Sequence, residues 1–337
     1  MKILVTGAAG FLGSNFVKWL LSDKCREIDT ELVVGLDLLR PNGNYLNLQQ
    51  LVNEQRFDFV RGDIRDSRLV GSLISHHQPD VVVNFANAEC SDLDPLAHVK
   101  NNIEGVQVLI DASNSVCKKF IQVSSILEDE RIPTCRSNLE NPPNRYLASK
   151  LAADSLVRAA VLESDLPALI FVPGSVYGPA QFPDYPIPSI ITALLRGQRL
   201  ESGSKTKQLM FHCDQVSSAL SCLLLGGENG ASYTLSDRLA KTVSEFELIA
   251  EISRLLGQDS KHKAVEGTSL KNRTWLNELK FKCVGELGWK PSEDPGRLLA
   301  ETVRWYVENP EWLESVQCGD YLNSYRDRPI KKESRTG

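Results

Sequence analysis

The segment Tyr146-Leu-Ala-Ser-Lys150 sets a phenol and an ammonium four residues apart, a spacing that puts both on one face of a helix. With Ser125 at the end of the preceding apolar run, the three suit hydride chemistry. A nearby ammonium, together with the positive charge of a nicotinamide, makes a phenol easier to ionise. Tyr146 can then accept the proton of a substrate hydroxyl as hydride leaves the carbon beneath it. Ser125 would hold the same oxygen. A tyrosine and a lysine at this spacing also decorate many helix surfaces, so the pair takes its meaning from what precedes it.

What precedes it is Gly7-Ala-Ala-Gly10-Phe11-Leu12-Gly13, directly after a buried strand and opening an amphipathic helix. Glycines there let the backbone turn tightly and approach a pyrophosphate, whose charge is met by amides at the helix N-terminus. Asp37 ends the second strand, 24 positions after Gly13, where a carboxylate can accept both ribose hydroxyls of an adenosine. That favours NAD over NADP as cofactor. The same residue could simply cap a turn, and Arg40 stands close enough for a cation to meet a 2′-phosphate.

The elements that must position these residues follow from periodicity. Short β-branched runs over 2–6, 32–37, 57–62, 81–86, 119–125 and 168–173 alternate with helical segments, which predicts repeated strand-helix-strand units and a parallel sheet. Apolar spacing predicts one helix over 146–164, opening at the tyrosine. Beyond Gly178 the prolines at 179, 183, 186 and 188 change the punctuation, and a smaller second lobe begins. A helix near 190–196, a strand at 231–236 and helices at 244–257 and 296–309 are expected to complete it. The fold class is therefore α/β, a Rossmann-like doubly wound parallel sheet with a smaller C-terminal α/β substrate lobe. Residues 1–178 form the nucleotide-binding domain with the Tyr-x-x-x-Lys helix, 179–325 mainly the substrate-binding lobe, and 326–337 a polar, flexible tail.

Composition narrows the partners. Apolar residues are 42% and charged residues 24%, with a net charge of −5, so no concentrated basic surface recommends nucleic acid or an anionic membrane. Met1 to Thr6 enters a strand without a basic lead or long apolar stretch, which predicts a cytoplasmic chain. The eight cysteines, at 25, 90, 117, 135, 213, 222, 283 and 318, lack the paired short spacings of zinc or redox sites and read as free thiols. His76 and His77 have no partner at ligand spacing, so no metal is expected.

Taken together, the chain resembles the extended short-chain dehydrogenases, NAD-dependent epimerases and dehydratases, and within them the dTDP-glucose 4,6-dehydratase branch. The likeness runs from Met1 to Tyr321. It includes Gly62-Asp-Ile-Arg-Asp66, Asn101 and Asn102, Tyr177-Gly-Pro-Ala-Gln-Phe-Pro183, Glu286-Leu-Gly-Trp-Lys-Pro291, Thr302-Val-Arg-Trp-Tyr306, Asn309-Pro-Glu-Trp312 and Gly319-Asp-Tyr321. The resemblance implies that Asp63 and Ile64 border the adenine, that Ala86 touches the cofactor, and that Tyr146 and Lys150 are the redox pair. It also implies a resident NAD that takes hydride from C4 of a dTDP- or UDP-linked sugar and returns it, and a homodimer built on the helices flanking the sheet edge.

Departures from the family fall where the sugar should lie. Dehydratases carry aspartate and glutamate directly after the serine or threonine, to protonate the leaving C6 hydroxyl and remove the C5 proton. This chain reads Ser124-Ser125-Ile126-Leu127, and neither replacement moves a proton. Glu128, Asp129 and Glu130 follow, as a solvated turn or with Glu128 drawn inward. Glu89 and Cys90 could face the sugar, Glu89 as a new acid-base group or as an ordinary surface carboxylate. Ser175 replaces the family's diphosphate-side asparagine and Lys207 an arginine, keeping charge but losing the two-pronged grip, while Arg273 remains. Three readings follow. The first is a dehydratase-like enzyme with an altered acid-base set. The second is a 4-epimerase, or a uronate decarboxylase, which needs no such pair. The third is a non-catalytic binder of NAD and a nucleotide sugar.

Overall fold

The computed structural model describes residues 1–40, 43–88, 95–124, 145–198, 200, 202–205, 207–235, 242–258, 263–265, 282–291 and 294–323. The valine- and isoleucine-rich runs are strands: β1 (Lys2–Thr6), β2 (Leu32–Asp37), β3 (Phe57–Arg61), β4 (Val81–Asn84), β5 (Lys119–Val123) and β6 (Ala168–Val172). Helix α1 (Phe11–Leu20) follows β1 and α2 (Ser67–His77) follows β3. Between β4 and β5 run α3 (Pro95–Val99), a π-helical turn (Lys100–Glu104) and α4 (Gly105–Ser113), and α5 (Arg145–Ser164) leads into β6. The later elements are β7 (Ser175–Tyr177), α6 (Pro186–Leu195), β8 (Ser202–Ser204), β9 (Lys207–His212), α7 (Cys213–Gly226), β10 (Ser232–Thr234), β11 (Thr242–Ser244), α8 (Glu245–Leu255), β12 (Lys263–Val265), β13 (Lys282–Cys283), α9 (Pro295–Glu308) and α10 (Pro310–Cys318).

Eight strands make one all-parallel sheet in the order β3-β2-β1-β4-β5-β6-β10-β13. Strand order reverses between β1 and β4, so a crevice opens at their carboxyl ends. Register fixes what meets there. Thr6 lies beside Leu36 on one side and Asn84 on the other, bringing the residues after β1, β2 and β4 together. A buried polar ladder locks it: Thr6 Oγ1 donates to Asn84 Oδ1, and Asn84 Nδ2 donates to Gln122 Oε1 on β5 at 2.8 Å.

Both sheet faces are covered, which is why these strands are apolar throughout. On one face Phe16, Val17 and Leu20 of α1 pack with Val216, Leu220 and Leu223 of α7. On the other, Val70 and Ile74 of α2, Leu109 and Ile110 of α4, and Ala153 and Val157 of α5 form a second core.

The strand expected at 231–236 does not complete the smaller lobe. It is β10, and it joins the large sheet beside β6, with Ser232 opposite Ile170 and β13 added outside it. The reason is the open edge of β6, whose backbone groups need partners, and Tyr233, which is fully buried there in the same core as α1 and α7. The smaller lobe holds a three-stranded sheet, β11-β9-β7, and a parallel pair, β12-β8. Around them Ile190 and Ile191 of α6, Ile249 and Ile252 of α8, and Val303 and Tyr306 of α9 make a third core. Helix α6 begins at Pro186, four residues before the expected start, because prolines are accommodated in a first turn. Among the described residues no helix is long and apolar enough to cross a membrane.

Candidate active site

A cavity of about 290 Å³ occupies the crevice where strand order reverses, and Gly7, Gly10, Phe11, Leu12 and Gly13 line it. Gly7 adopts φ +66°, and a Cβ on it would lie 2.7 Å from the Ala86 nitrogen; one on Gly13 would lie 2.1 Å from the Gly7 oxygen. The turn, α1 and the residues after β4 are thus packed backbone on backbone, a fit open only to glycine. Gly10 caps α1 without any side-chain hydrogen bond, and no acidic residue stands in its first turn. The amides of that turn are left to an anion.

Asp37 lines the cavity at the end of β2. Its Oδ2 accepts from Ala9 N at 2.9 Å and its Oδ1 from Leu39 N at 2.8 Å. Burial pushes its carboxyl upward, and the amides of Leu39, Ala9 and Gly10 pull the other way. Asp37 therefore also ties the glycine turn to β2, a role its position in the sequence does not announce. Asp63 and Ile64 line the same end with Arg40. Asp63 is gripped by Arg65 through Nε and Nη2; burial works against its charge, but Arg65 more than offsets this and holds the carboxyl below the usual range. Ile64 is buried against Gly105, where a Cβ would come within 2.5 Å of its Cδ1.

The far end of the cavity holds Tyr146 and Lys150, with Ser124, Gln181 and Phe182. Both members of the pair are buried, at 7% and 3% exposure, on the face of α5 turned to the sheet. Lys150 Nζ donates to Val123 O at the end of β5, 3.1 Å away. Tyr146 meets the His98 ring edge-on, centroids 6.0 Å apart. Its carbonyl accepts from Ser149 Oγ at 2.7 Å, and Asn102 Nδ2 donates to that same Oγ at 2.8 Å. Asn102 Oδ1 in turn accepts from Ala88 N at 2.6 Å. A buried asparagine on the π-helical turn thus links the loop after β4 to the first turn of α5, in keeping with the tendency of such turns to sit at functional sites.

A second support reaches the glycine turn from the far end of the chain. Asn47 Nδ2 donates to Ala9 O at 2.9 Å, and Trp312 Nε1 of α10 donates to Asn47 Oδ1 at 2.8 Å. Asn47 carries no motif that would have drawn attention to it. Asn102 belongs to a family-like stretch, yet its two partners are far from it in sequence.

Gly7, Gly10, Phe11, Leu12, Gly13, Asp37, Asp63, Ile64, Ala86, Tyr146 and Lys150 all line one cavity. Lys207 does not. It stands exposed at the start of β9 and pairs with Glu247 at 3.7 Å. Ser175 opens β7 between Gly174 and Val176, which do line the cavity. Ser125, Glu89, Cys90, Arg273, residues 126–130 and the tail at 326–337 lie outside the described residues.

Among the described residues His212, Cys213 and Asp214 bring ligand-type atoms within 4.8 Å of one another. His212 Nδ1, however, accepts from Asp214 N at 3.2 Å as the cap of α7, and the Asp214 carboxylate pairs with Lys24. The six described cysteines, 25, 117, 213, 222, 283 and 318, are free thiols.

A model of the NAD dependent epimerase/dehydratase family matches residues 3–234. The chain belongs to this family. It is 31% identical to a dTDP-glucose 4,6-dehydratase of Xanthomonas campestris, across 94% of this chain and 96% of the relative. Among solved structures it is similar to a double mutant of a dTDP-glucose 4,6-dehydratase from Streptomyces venezuelae with NAD bound. That likeness has a TM-score of 0.77 and 29% identity over 94% of this chain and 100% of the other. A UDP-glucuronic acid 4-epimerase from Bacillus cereus in complex with NAD shares the fold, at TM-score 0.73 and 22% identity over 91% of this chain and 99% of that one. The family's cofactor is NAD, and the helix start without a side-chain cap, the glycine packing and the buried carboxylate at the end of β2 fit such a dinucleotide.

Proposed function

We propose that this chain is an NAD-dependent enzyme that oxidises a nucleotide-linked sugar at C4, in the manner of the dTDP-glucose 4,6-dehydratases it is similar to, with an altered acid-base set. The observation that carries the reading is the burial of Tyr146 and Lys150 on one face of α5, in the same cavity as the glycine turn. The first turn of α1 would hold the pyrophosphate, Asp37 the ribose hydroxyls, and Asp63 and Ile64 the adenine. Bound NAD supplies the hydride acceptor and, later, the donor. Tyr146 takes the C4 hydroxyl proton as its base and gives it back, with Lys150 fixed on the Val123 carbonyl beneath and Ser125 on the same oxygen. Ser175 and Arg273 belong to the nucleotide side of this reading and Glu89 to the sugar side; Lys207, outside the cavity and paired with Glu247, would reach a nucleotide only by leaving that pair. The protein is a cytoplasmic homodimer in it, with α5, the helix that carries Tyr146, in the pairing face.

A second reading, 4-epimerisation, is favoured by one specific feature. Ile126 and Leu127 replace the carboxylates of dehydration, and Asp37 and Asp63, both at the adenosine end, are the carboxylates among the described residues lining the cavity. Oxidation at C4 and return of hydride to the opposite face require only the Tyr146 site. Incubation with dTDP-glucose, UDP-glucose, UDP-N-acetylglucosamine and UDP-glucuronate, followed by product mass and sugar stereochemistry, separates the outcomes. Loss of water marks dehydration, inverted C4 at unchanged mass marks epimerisation, and loss of carbon dioxide marks decarboxylation. Tyr146→Phe is expected to abolish whichever is seen while NAD still binds; activity surviving in that variant would end the proposal.

A further inference from the structure

Tyr146, Lys150 and Asp154 follow one another at four-residue steps along α5, so a phenol, an ammonium and a carboxylate form a single stripe on its buried face. The first two line the cavity; Asp154 does not. Asp154 is 8% exposed. Its Oδ2 accepts from Ser124 Oγ at 2.8 Å, and among the described residues its Oδ1 is buried with no hydrogen-bond partner.

That arrangement is poor as a structural device. An asparagine would accept the same Ser124 hydrogen bond without placing a charge out of water, and a buried carboxylate oxygen lacking a donor costs free energy. What a carboxylate adds is negative charge one helical turn from the Lys150 ammonium. The strand end it holds is the one Lys150 also holds, since Lys150 grips the Val123 carbonyl and Asp154 the next residue's hydroxyl. Two successive turns of α5 thus pin Val123, the last residue of β5, and Ser124 directly after it, immediately before Ser125.

We propose that Asp154 is a positioning residue that fixes the end of β5 through Ser124 and, by its charge, sets the pH at which Tyr146 gives up its proton. The proposal rests on the reading that Tyr146 is the proton acceptor. The charges acting on Asp154 are Lys150 and Arg158, both on α5. The elements packed around α5 add little: Lys100, Glu104 and Asp111 are exposed, His98 lies against Tyr146, Lys119 at the start of β5 is bonded to the carbonyls of Leu223 and Gly227, and β6 carries no titratable side chain. Burial raises the Asp154 carboxyl above its usual range, and Lys150, the Ser124 hydroxyl and Arg158 offset only part of that rise.

Asp154 is eight residues from Tyr146, a rise of about 12 Å. At an effective dielectric of about 20, a unit charge at that distance moves a titration by about one unit. The test needs no substrate. Protein labelled with ¹³Cζ-tyrosine and saturated with NAD is titrated by NMR, with the Tyr146 resonance assigned from Tyr146→Phe. In Asp154→Asn the midpoint of Tyr146 is expected to fall by about one pH unit, and Asp154→Glu should restore it to within a few tenths. An unchanged midpoint in a folded, NAD-binding Asp154→Asn protein overturns the proposal and leaves Asp154 a strut. Should that variant not fold, the wild-type Tyr146 resonance must show a second, smaller inflection as the ¹³Cγ-labelled Asp154 carboxyl titrates, and its absence overturns the proposal equally. A Tyr146 midpoint that is already that of an ordinary phenol in the wild type counts instead against the functional reading itself.

Discussion

Replacing Gly13 by alanine tests the packing on which the cofactor cradle depends. The added Cβ would lie 2.1 Å from the Gly7 oxygen, 2.8 Å from the Gly7 carbonyl carbon and 3.1 Å from Ala8 Cα. All three are backbone atoms, so no side-chain rotation relieves the overlap. To reach ordinary contact the start of α1 must withdraw from the turn by about 1 Å. Overpacking of this kind costs about 3 kcal/mol, which for a chain of this size lowers the melting temperature by about 4 °C. The same withdrawal carries the amides of the first turn away from a pyrophosphate and past good hydrogen-bond length. NAD affinity should therefore fall by at least about tenfold, and the loss should exceed what the stability change alone produces at a temperature where both proteins are folded. Gly71→Ala is the matched control. It lies inside α2 with nothing within 4 Å of its Cβ position, so alanine there should stabilise the protein by about 1 kcal/mol and leave NAD binding alone. Thermal unfolding and calorimetric NAD titration of both variants read the two effects separately. A Gly13→Ala protein with unchanged melting temperature and unchanged NAD affinity would refute the close packing and, with it, the account of why that glycine is there.

Three further outcomes follow from particular contacts. Burial pushes His212 down to about 4, with Asp214 raising it and Lys24 lowering it. The unfolded chain therefore takes up the proton first, near 6.5, and stability should decline by about 3 kcal/mol as pH falls from about 6.5 toward 4. His212→Asn, which can still cap α7, should flatten that part of a melting-temperature profile against pH; an unflattened profile would show that other groups carry it. Trp312→Phe leaves the buried Asn47 Oδ1 without its donor and should cost about 1–3 kcal/mol, with NAD affinity weakened several-fold because Asn47 holds Ala9 O. Equal NAD binding in the two proteins would show that the support from α10 does not reach the glycine turn. Asn102→Ala removes the link between Ala88 and Ser149 and should destabilise by about 3 kcal/mol while lowering turnover more than NAD affinity. Turnover equal to the wild type would dismiss the link as a positioning device.

The sequence by itself determined the parts of this protein that depend on short stretches of chain. A strand, a glycine turn and a helix within residues 2–20 declare a dinucleotide cradle, because turn geometry and helix-end electrostatics are local. Tyr146 and Lys150 share a helix, and helical spacing alone puts them on one face. The parallel sheet was legible for the same reason, in apolar runs that alternate with helices. What only the tertiary structure decided are the pairings between distant residues. Whether the strand at 232–234 serves the lobe it follows or the sheet it left depends on the open edge of β6, which no local pattern encodes. Asn102 finds Ser149, Trp312 finds Asn47, and Ser124 finds Asp154 because buried polar groups must be satisfied wherever the folded chain brings a partner, and that place is set by the packing of whole elements.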